Sequence, residues 1–469
     1  AQGESSTISL TIGDNAQFAN NTAAGDGEGE GQGGIFSAIA SLKSSFGLSL
    51  GRNASFLYNS ADVGGIAYLS PSKANSFHIS FGENAKFISH RGNGFRFAAL
   101  KLREGSFSIG KNSIIENYKS FVSISLLEQS ELAVSIANAT AVDCENCISL
   151  ESFDSSGMNV SILNATFVGI INYALSVLGA GAGYQADNMH INMVSSSFAG
   201  TSGASAILGT ASNAGNISIA AVDCDFASFS SPSDGGAIQV IAVAESTLSV
   251  DVINCRFNDT AALDGTNGGS IASTCFSSSC SLNISDTSFQ NANAALGGAV
   301  AMLDDGGSNC TMSIRKSEFK DCLATSGGGA IYSKRVKALN VTSTSFVSNK
   351  AVAGDTKTSG GAIFTTGPSS LNMISCNFNG NNASSGGAIA MSDSVTSVLD
   401  TTTFSNNRAI TGNGGAIGVT GTGNAITFEN ECTLNGNHAA LSGGAVYVSG
   451  ESDSTKIQAH FLGVSCQDN

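Results

Sequence analysis

The chain has no tryptophan and only three prolines in 469 residues, so disordered proline-rich linkers have no place in it. Charge is scarce too: 12% of residues are ionic, and 36 acidic against 21 basic side chains leave a net charge of −15. That balance argues against nucleic acid or an anionic membrane as partner and favours solubility, and no basic run offsets it. No apolar stretch reaches eighteen residues, which excludes a membrane-spanning helix. A helix-length 3.6-residue pattern is also missing. Leucine-rich, ankyrin and tetratricopeptide repeats, which all need a helix, are thereby excluded. The opening AQGESSTISL reads as a strand rather than a signal peptide, as expected of a processed secreted protein or an excised fragment.

Glycine is abundant, at 56 residues, and much of it falls in a repeated phrase. Between Gly297 and Asn437 two signatures alternate: Gly-Gly-Ala followed by Ile or Val, and Phe-x-x-Asn. The Gly pairs are Gly297–Gly298, Gly328–Gly329, Gly360–Gly361, Gly386–Gly387, Gly414–Gly415 and Gly443–Gly444. The second signature recurs at Phe56–Asn59, Phe346–Asn349, Phe378–Asn381 and Phe404–Asn407. From a Gly pair to the next Phe the distance is nearly constant, whereas from Phe to the next Gly pair it varies, so variable loops interrupt a constant unit. A period near thirty residues means a solenoid. Segments such as LNVTSTSF are β-branched with polar alternation, and a coil of strands and turns alone is a β-helix. Paired Gly supplies positive φ or close backbone approach at a corner. Asn tolerates the left-handed region and can stack its amide on the next rung's Asn, and Phe fills the interior.

These paired signatures resemble the repeat of the polymorphic outer membrane protein family, found in chlamydial autotransporter passengers and similar surface proteins. The resemblance is strong from about residue 216, recognisable over 1–68 and faint between. It implies a right-handed parallel β-helix exposed at a surface, with adhesion the usual role. It supplies no catalytic residues, and the family's C-terminal membrane barrel has no counterpart in this sequence.

Taking Phe as anchor places rungs at Phe18, Phe56, Phe87, Ile114, Ala141, Phe167, Phe198, Phe226, Phe257, Phe289, Phe319, Phe346, Phe378, Phe404, Leu434 and Cys466. The expectation is an all-β solenoid of about 16 rungs, roughly 70 Å long at one strand spacing per rung. It forms one domain over 1–469, with N-terminal repeats over 1–68, degenerate rungs over 69–215 and regular repeats over 216–469. Five and seven residues before the anchors sit apolar pairs such as Val160 and Ile162, Leu282 and Ile284, and Leu371 and Met373, which should point inward. In the first three rungs, and at Ile426 and Phe428, the pair stands one residue further back, so a corner or bulge absorbs an extra residue. Two before the anchor is a column of small residues, among them Ala165, Ser196, Cys224, Cys255, Thr287, Ser317, Thr344, Cys376, Thr402 and Cys432. Parity puts their hydroxyls and thiols inside, against the next rung.

Eleven cysteines in a low-charge chain suggest an oxidising compartment, and the odd number leaves at least one unpaired. Cys280 and Cys310 hold matching positions on consecutive rungs, as do Cys224 and Cys255; rungs about 4.8 Å apart allow a disulfide at either place, with stacked thiols as the alternative. Cys275 competes for Cys280 across the FSSS loop. Sequons occur at Asn20, Asn53, Asn138, Asn159, Asn164, Asn216, Asn258, Asn283, Asn309, Asn340 and Asn382. With 41 Asn, chance alone predicts roughly nine, so their number does not show glycosylation.

Chemistry-bearing arrangements are few. Cys144 and Cys147 form a C-x-x-C with no second pair at zinc-site distance, which reads as a loop disulfide or two inert thiols. His78, His90, His190, His438 and His460 share no short spacing, and no nucleophile elbow exists. Asp304 and Asp305 in LDDGGSN, and Asp143 and Asp223 in two AVDC phrases, are candidate carboxylates for polysaccharide cleavage, but Asp in a Gly-rich loop is ordinarily turn chemistry. The GDGEGEG loop after Ala24 lacks the spacing of a calcium motif. The sequence therefore points to an extracellular or cell-surface protein without catalytic centre, metal or cofactor. Its expected uses are adhesion, through a receptor or glycan on the variable loops, or end-to-end self-association into a fibre. A polysaccharide-binding or polysaccharide-degrading β-helix is the alternative. The chain both begins and stops in strand phrases without a polar cap, which favours stacking or continuation.

Overall fold

The computed structural model describes residues 7–23, 34–41, 44–61, 63–89, 92–181, 187–263, 265–352, 359–450 and 457–469. The acidic loop at 25–33, including Gly33, and His90 lie outside the described residues. Those described are strands and turns with no helix, and strands pair in parallel with their counterparts one coil away. The fold is a parallel β-solenoid. It divides into two compact units, residues 1–225 with 243–248, and residues 226–242 with 249–469.

In the first unit each coil runs through three sheets. Ser45–Leu50 lies in the first, the three-residue strand Ser55–Leu57 in the second and Ala67–Ser72 in the third. Alternation decides the faces: Phe46, Leu48 and Leu50 are buried, while the residues between them face outward. Register is in step from coil to coil, with Leu48 opposite Ile79 and Phe56 opposite Phe87. The second unit follows the same plan and adds a fourth sheet of short strands, most of them two residues long, such as Lys350–Ala351 and Arg408–Ala409; among the described residues of the first unit only Thr22–Ala23 and Ser60–Ala61 pair in this way. Its inward columns are the expected ones, since Leu282, Met312, Leu339 and Leu371 stand in line and are buried.

The anchor phenylalanines stack. From Phe226 through Phe257, Phe289, Phe319, Phe346, Phe378 and Phe404 successive ring centroids lie 4.6–5.0 Å apart, with rings within 10° of parallel. Each ring therefore covers the next and all are shut off from water. One anchor differs from expectation. Phe87 stands opposite Ile115, not Ile114; Ile115 is 3% exposed and Ile114 38%. The cause is the corner Gly110-Lys111-Asn112-Ser113, which repeats the longer corners at 51–54 and 82–85 and moves the anchor on by one. Asn15, Asn53, Asn84 and Asn112 all have φ near +60° there, and their amides form a ladder, Asn53 donating to Asn15 at 2.9 Å and Asn84 to Asn53 at 3.0 Å.

The Gly pair divides its two tasks. Gly360, Gly386 and Gly414 take φ of +56°, +66° and +70°. Gly361, Gly387 and Gly415 have no positive φ but are crowded: a Cβ on Gly387 would overlap the carbonyl oxygen of Gly415 and the backbone of Arg408. The first glycine is needed for its conformation and because a Cβ would overlap the carbonyl oxygen three residues on, that of Ile363, Ile389 or Ile417; the second is needed for closeness to the next coil alone.

Two stability measurements follow. Phe378→Ala, which opens a cavity in a ring stack, should cost about 3–5 kcal/mol in denaturant unfolding. Gly387→Ala should lower the melting temperature markedly, whereas Gly13→Ala, with nothing within 4 Å of the added carbon, should change stability by less than about 0.5 kcal/mol. Equal effects at the two glycines would contradict the crowding argument.

Candidate binding groove

The bend from the first sheet to the second takes only two residues in the second unit, and the sequence shows why that suffices. The first residue adopts the left-handed conformation: Asn254, Asp286, Lys316, Ser343 and Ser375 have φ between 48° and 54°. The second is small and turned inward, at Cys255, Thr287, Ser317, Thr344 and Cys376, all buried. Its hydroxyl closes the corner against the preceding coil: the amide of Cys255 donates to Thr287 Oγ1 at 3.2 Å, that of Thr287 to Ser317 Oγ at 3.2 Å, and that of Cys376 to Thr402 Oγ1 at 3.4 Å. These bonds satisfy backbone donors that a larger apolar side chain would strand.

Alongside five successive bends of this kind runs a shallow, open groove of about 580 Å³. Besides the corner residues, its walls include Arg256, Ser288, Glu318, Ser345 and Asn377, which open the three-residue strands. Its five coils span about 19 Å at one strand spacing each. Arg256 and Lys316 are offset by Asp286 and Glu318, and the Ser343–Asn377 end is uncharged. Ile253 and Ile374, 40% and 46% exposed, immediately precede two of the corner residues. Balanced charge suits neither a polyphosphate nor a polycation. Hydroxyls and amides at a regular spacing, beside apolar rims, suit the hydroxyls and C–H faces of an extended neutral glycan.

The other candidates scatter. Asp304 is buried and its Oδ1 accepts from the amide of Gly306 at 2.7 Å; exposed Asp305 lies 4.0 Å from Lys334 Nζ. The two AVDC phrases occupy different bends, since Asp143 follows a second-sheet strand and Asp223 a first-sheet strand, each with positive φ. All four Asp residues perform turn or ion-pair roles. His78 Nδ1 pairs with Ser106 Oγ at 2.9 Å, and among the described residues the histidines form no metal cluster. Every sequon Asn is exposed or half-buried, and Asn159, Asn216, Asn283, Asn309 and Asn340 lie in strands of the first sheet.

The one disulfide among the described residues joins Cys275 to Cys280, leaving Cys310 a thiol. The Cys280–Cys310 pairing is thus not adopted, because Cys275 on the third sheet faces Cys280 across a tight corner with a Cα–Cα distance of 6.5 Å. Cys224 and Cys255 are buried thiols, each donating to a backbone carbonyl two residues back, Cys224 to Val222 and Cys255 to Ile253, at 3.3 Å. Cys144 and Cys147 are also thiols; their mutual hydrogen bond lowers Cys144 from the usual thiol range, and burial raises Cys147 above it. Burial pushes Cys322 up to about 12 and Cys376 to about 11, so neither is a nucleophile at neutral pH. The groove was missed in the sequence. The small-residue column that borders it is legible there, but the depression itself is not.

A smaller dent of about 330 Å³ occurs in the first unit, over Gly157, between Glu131, Asn159, Asn188 and His190. Beneath it runs a polar ladder, the amide of Leu102 donating to Ser130 Oγ, that of Ser130 to Ser156 Oγ, and that of Ser156 to Asp187 Oδ1 at 2.8 Å. Asp187 is fully buried, and its Oδ2 has no hydrogen-bond partner among the described residues. Burial foremost, with the nearby Asp154 charge, raises its carboxyl to about 6 against the hydrogen bonds from Ser155 and Ser156. The native state therefore keeps this proton after the unfolded chain has lost it, so stability falls as pH rises from about 4 to about 6. Asp187→Asn keeps the acceptor without the charge. It should raise stability at pH 7 by roughly 1–3 kcal/mol and flatten the pH dependence across that window, as read by thermal melts at pH 4 and pH 7.

Residues 401–420 match the Chlamydia polymorphic membrane protein repeat. The match takes in the Phe404 anchor, buried Asn407, the Gly414–Gly415 corner and the strand Ile417–Thr420, which is part of one coil; the first-sheet strand Ala425–Glu429 of that coil lies beyond it. No curated protein matches the chain. The match is consistent with a polymorphic-membrane-protein-type repeat protein, and repeat and solenoid together fit a surface β-helical protein.

Proposed function

We propose that this chain is an extracellular, non-enzymatic surface protein that uses its first-to-second-sheet groove to bind an extended neutral glycan, as an adhesin does. The observation carrying this reading is the groove itself: five coils of hydroxyl, amide and mutually cancelling charged groups at a fixed repeat. The repeat match supports surface exposure, and the outward sequons belong to the same setting as acceptors of N-glycans on the first sheet. End-to-end self-association is a compatible use of the architecture, because the backbone hydrogen-bonding groups of parallel coils point along the stack.

A second reading keeps the groove and adds chemistry. Asp286 and Glu318 line it from adjacent coils, and paired carboxylates are what glycoside cleavage requires. Glycan arrays followed by titration calorimetry separate the two. On the binding reading, a neutral oligosaccharide binds without turnover and Ser345→Arg, which fills the groove, abolishes binding. Ser313→Arg on the outer face of the first sheet should leave binding intact. Product release that disappears in Asp286→Asn or Glu318→Gln would establish the enzymatic reading instead. Binding unaffected by Ser345→Arg would remove the groove from the function altogether.

A further inference from the structure

The three cysteines at one corner of the second unit form a cluster that the groove does not use. Cys275 is the last residue but one of the third-sheet strand Ile271–Phe276, Cys280 the second of the first-sheet strand Ser279–Ser285 in the same coil, and Cys310 stands opposite Cys280 one coil on. All three are buried, and their sulfur atoms lie within 4.8 Å of one another. Three thiolates around one ion at about 2.3 Å place their sulfurs about 4 Å apart, so the trio needs only to separate the bonded pair to surround a metal. The Cα–Cα distance of 6.5 Å between Cys275 and Cys280 accommodates that without moving the backbone. Buried Asp304 is the register partner of Cys275, and the cations of this corner, Lys334 and Arg335, are turned to the exposed Asp305 beside it, at 4.0 Å from its carboxylate and 3.4 Å from its carbonyl oxygen. Phe276 and Ser279, between the first two cysteines, are exposed, so the cluster sits directly beneath the surface.

We propose that Cys275, Cys280 and Cys310 form a thiophilic metal site that opens when the Cys275–Cys280 disulfide is reduced. Reduction by a dithiol or phosphine breaks the sulfur–sulfur bond, adding two electrons and two protons and giving three thiols. A soft divalent or monovalent cation then displaces three protons and binds three thiolates, the ligand type that selects zinc, cadmium or copper(I) over hard cations. Because Cys280 and Cys310 belong to successive coils, the ion cross-links two coils where the disulfide closes only one. Oxidation removes two of the three ligands, so the site is gated by redox state.

The test uses the full chain with cadmium as probe, in a Cys144→Ser, Cys147→Ser background so that the other close thiol pair does not compete. After phosphine reduction, a thiolate-to-cadmium ultraviolet band should grow to saturation at a single equivalent. It should be absent from the oxidised chain and lost when Cys310→Ser is added. No band, or a band unchanged by Cys310→Ser, overturns the site. Should the background variant fail to fold by circular dichroism, alkylation mapping of the reduced wild-type chain with and without cadmium decides the matter. Joint protection of Cys275, Cys280 and Cys310 upholds the site, and protection of any other set overturns it.

Discussion

From Asn349 to Asn437 the second unit depends on one repeated interaction, the side chain of a buried asparagine spanning two coils at once. Asn381 Oδ1 accepts from the backbone amide of Asn349 at 3.0 Å, while Asn381 Nδ2 donates to the carbonyl of Phe346 at 3.0 Å and to Asn407 Oδ1 at 2.9 Å. Asn407 repeats the pattern toward Asn437, its amide nitrogen donating to Phe378 O at 3.0 Å. A corner interrupts the sheet ladder, and its backbone groups would otherwise be buried without partners. Each asparagine satisfies those groups only when its neighbours are in register. The column therefore penalises slippage, while the phenylalanine stack beside it supplies the apolar burial.

The same constraint explains what replaces asparagine. Cys322 occupies the position three after Phe319, and its amide donates to Asn349 Oδ1 at 3.0 Å, so the ladder tolerates a residue that only donates at its edge. At the next bend the small column does equivalent work with one hydroxyl or thiol per coil, as where the amide of Thr402 donates to Cys432 Sγ at 3.4 Å. Among the described residues interior polarity gathers mainly at bends; the third sheet adds to it, with buried Asp304 in one strand and the buried Ser333 hydroxyl donating to Thr365 Oγ1 at 2.8 Å across two others.

Function and stability separate by face. Inward positions hold register, and outward positions are released from that task; the loops between Phe and the next Gly pair vary in length without disturbing the columns. The groove runs alongside the corners that stabilise the stack. Its chemistry is set by outward residues such as Lys316, Glu318 and Asn377 that packing leaves free to vary.

Periodicity was sufficient to read the architecture, because a parallel coil makes sequence spacing equal to spatial neighbourhood. Phe346, Phe378 and Phe404 had to stack once they shared a register, and the apolar pairs behind them had to face inward. Spacing shows a longer bend at Phe18, Phe56 and Phe87, where phenylalanine marks the anchor; without a phenylalanine, two adjacent isoleucines satisfy the spacing, and the structure assigns the anchor to Ile115 because the Gly110–Ser113 corner is of the longer kind. Spacing does not say which glycine of a pair adopts positive φ and which meets the next backbone, since both lack Cβ. The sequence offers Cys280 two partners, Cys310 by register and Cys275 across the FSSS loop, and only the tertiary fold selects Cys275, by bringing third-sheet and first-sheet residues together at one corner. The groove, too, belongs to the fold alone, because concavity depends on the angle between two sheets and no residue type encodes an angle.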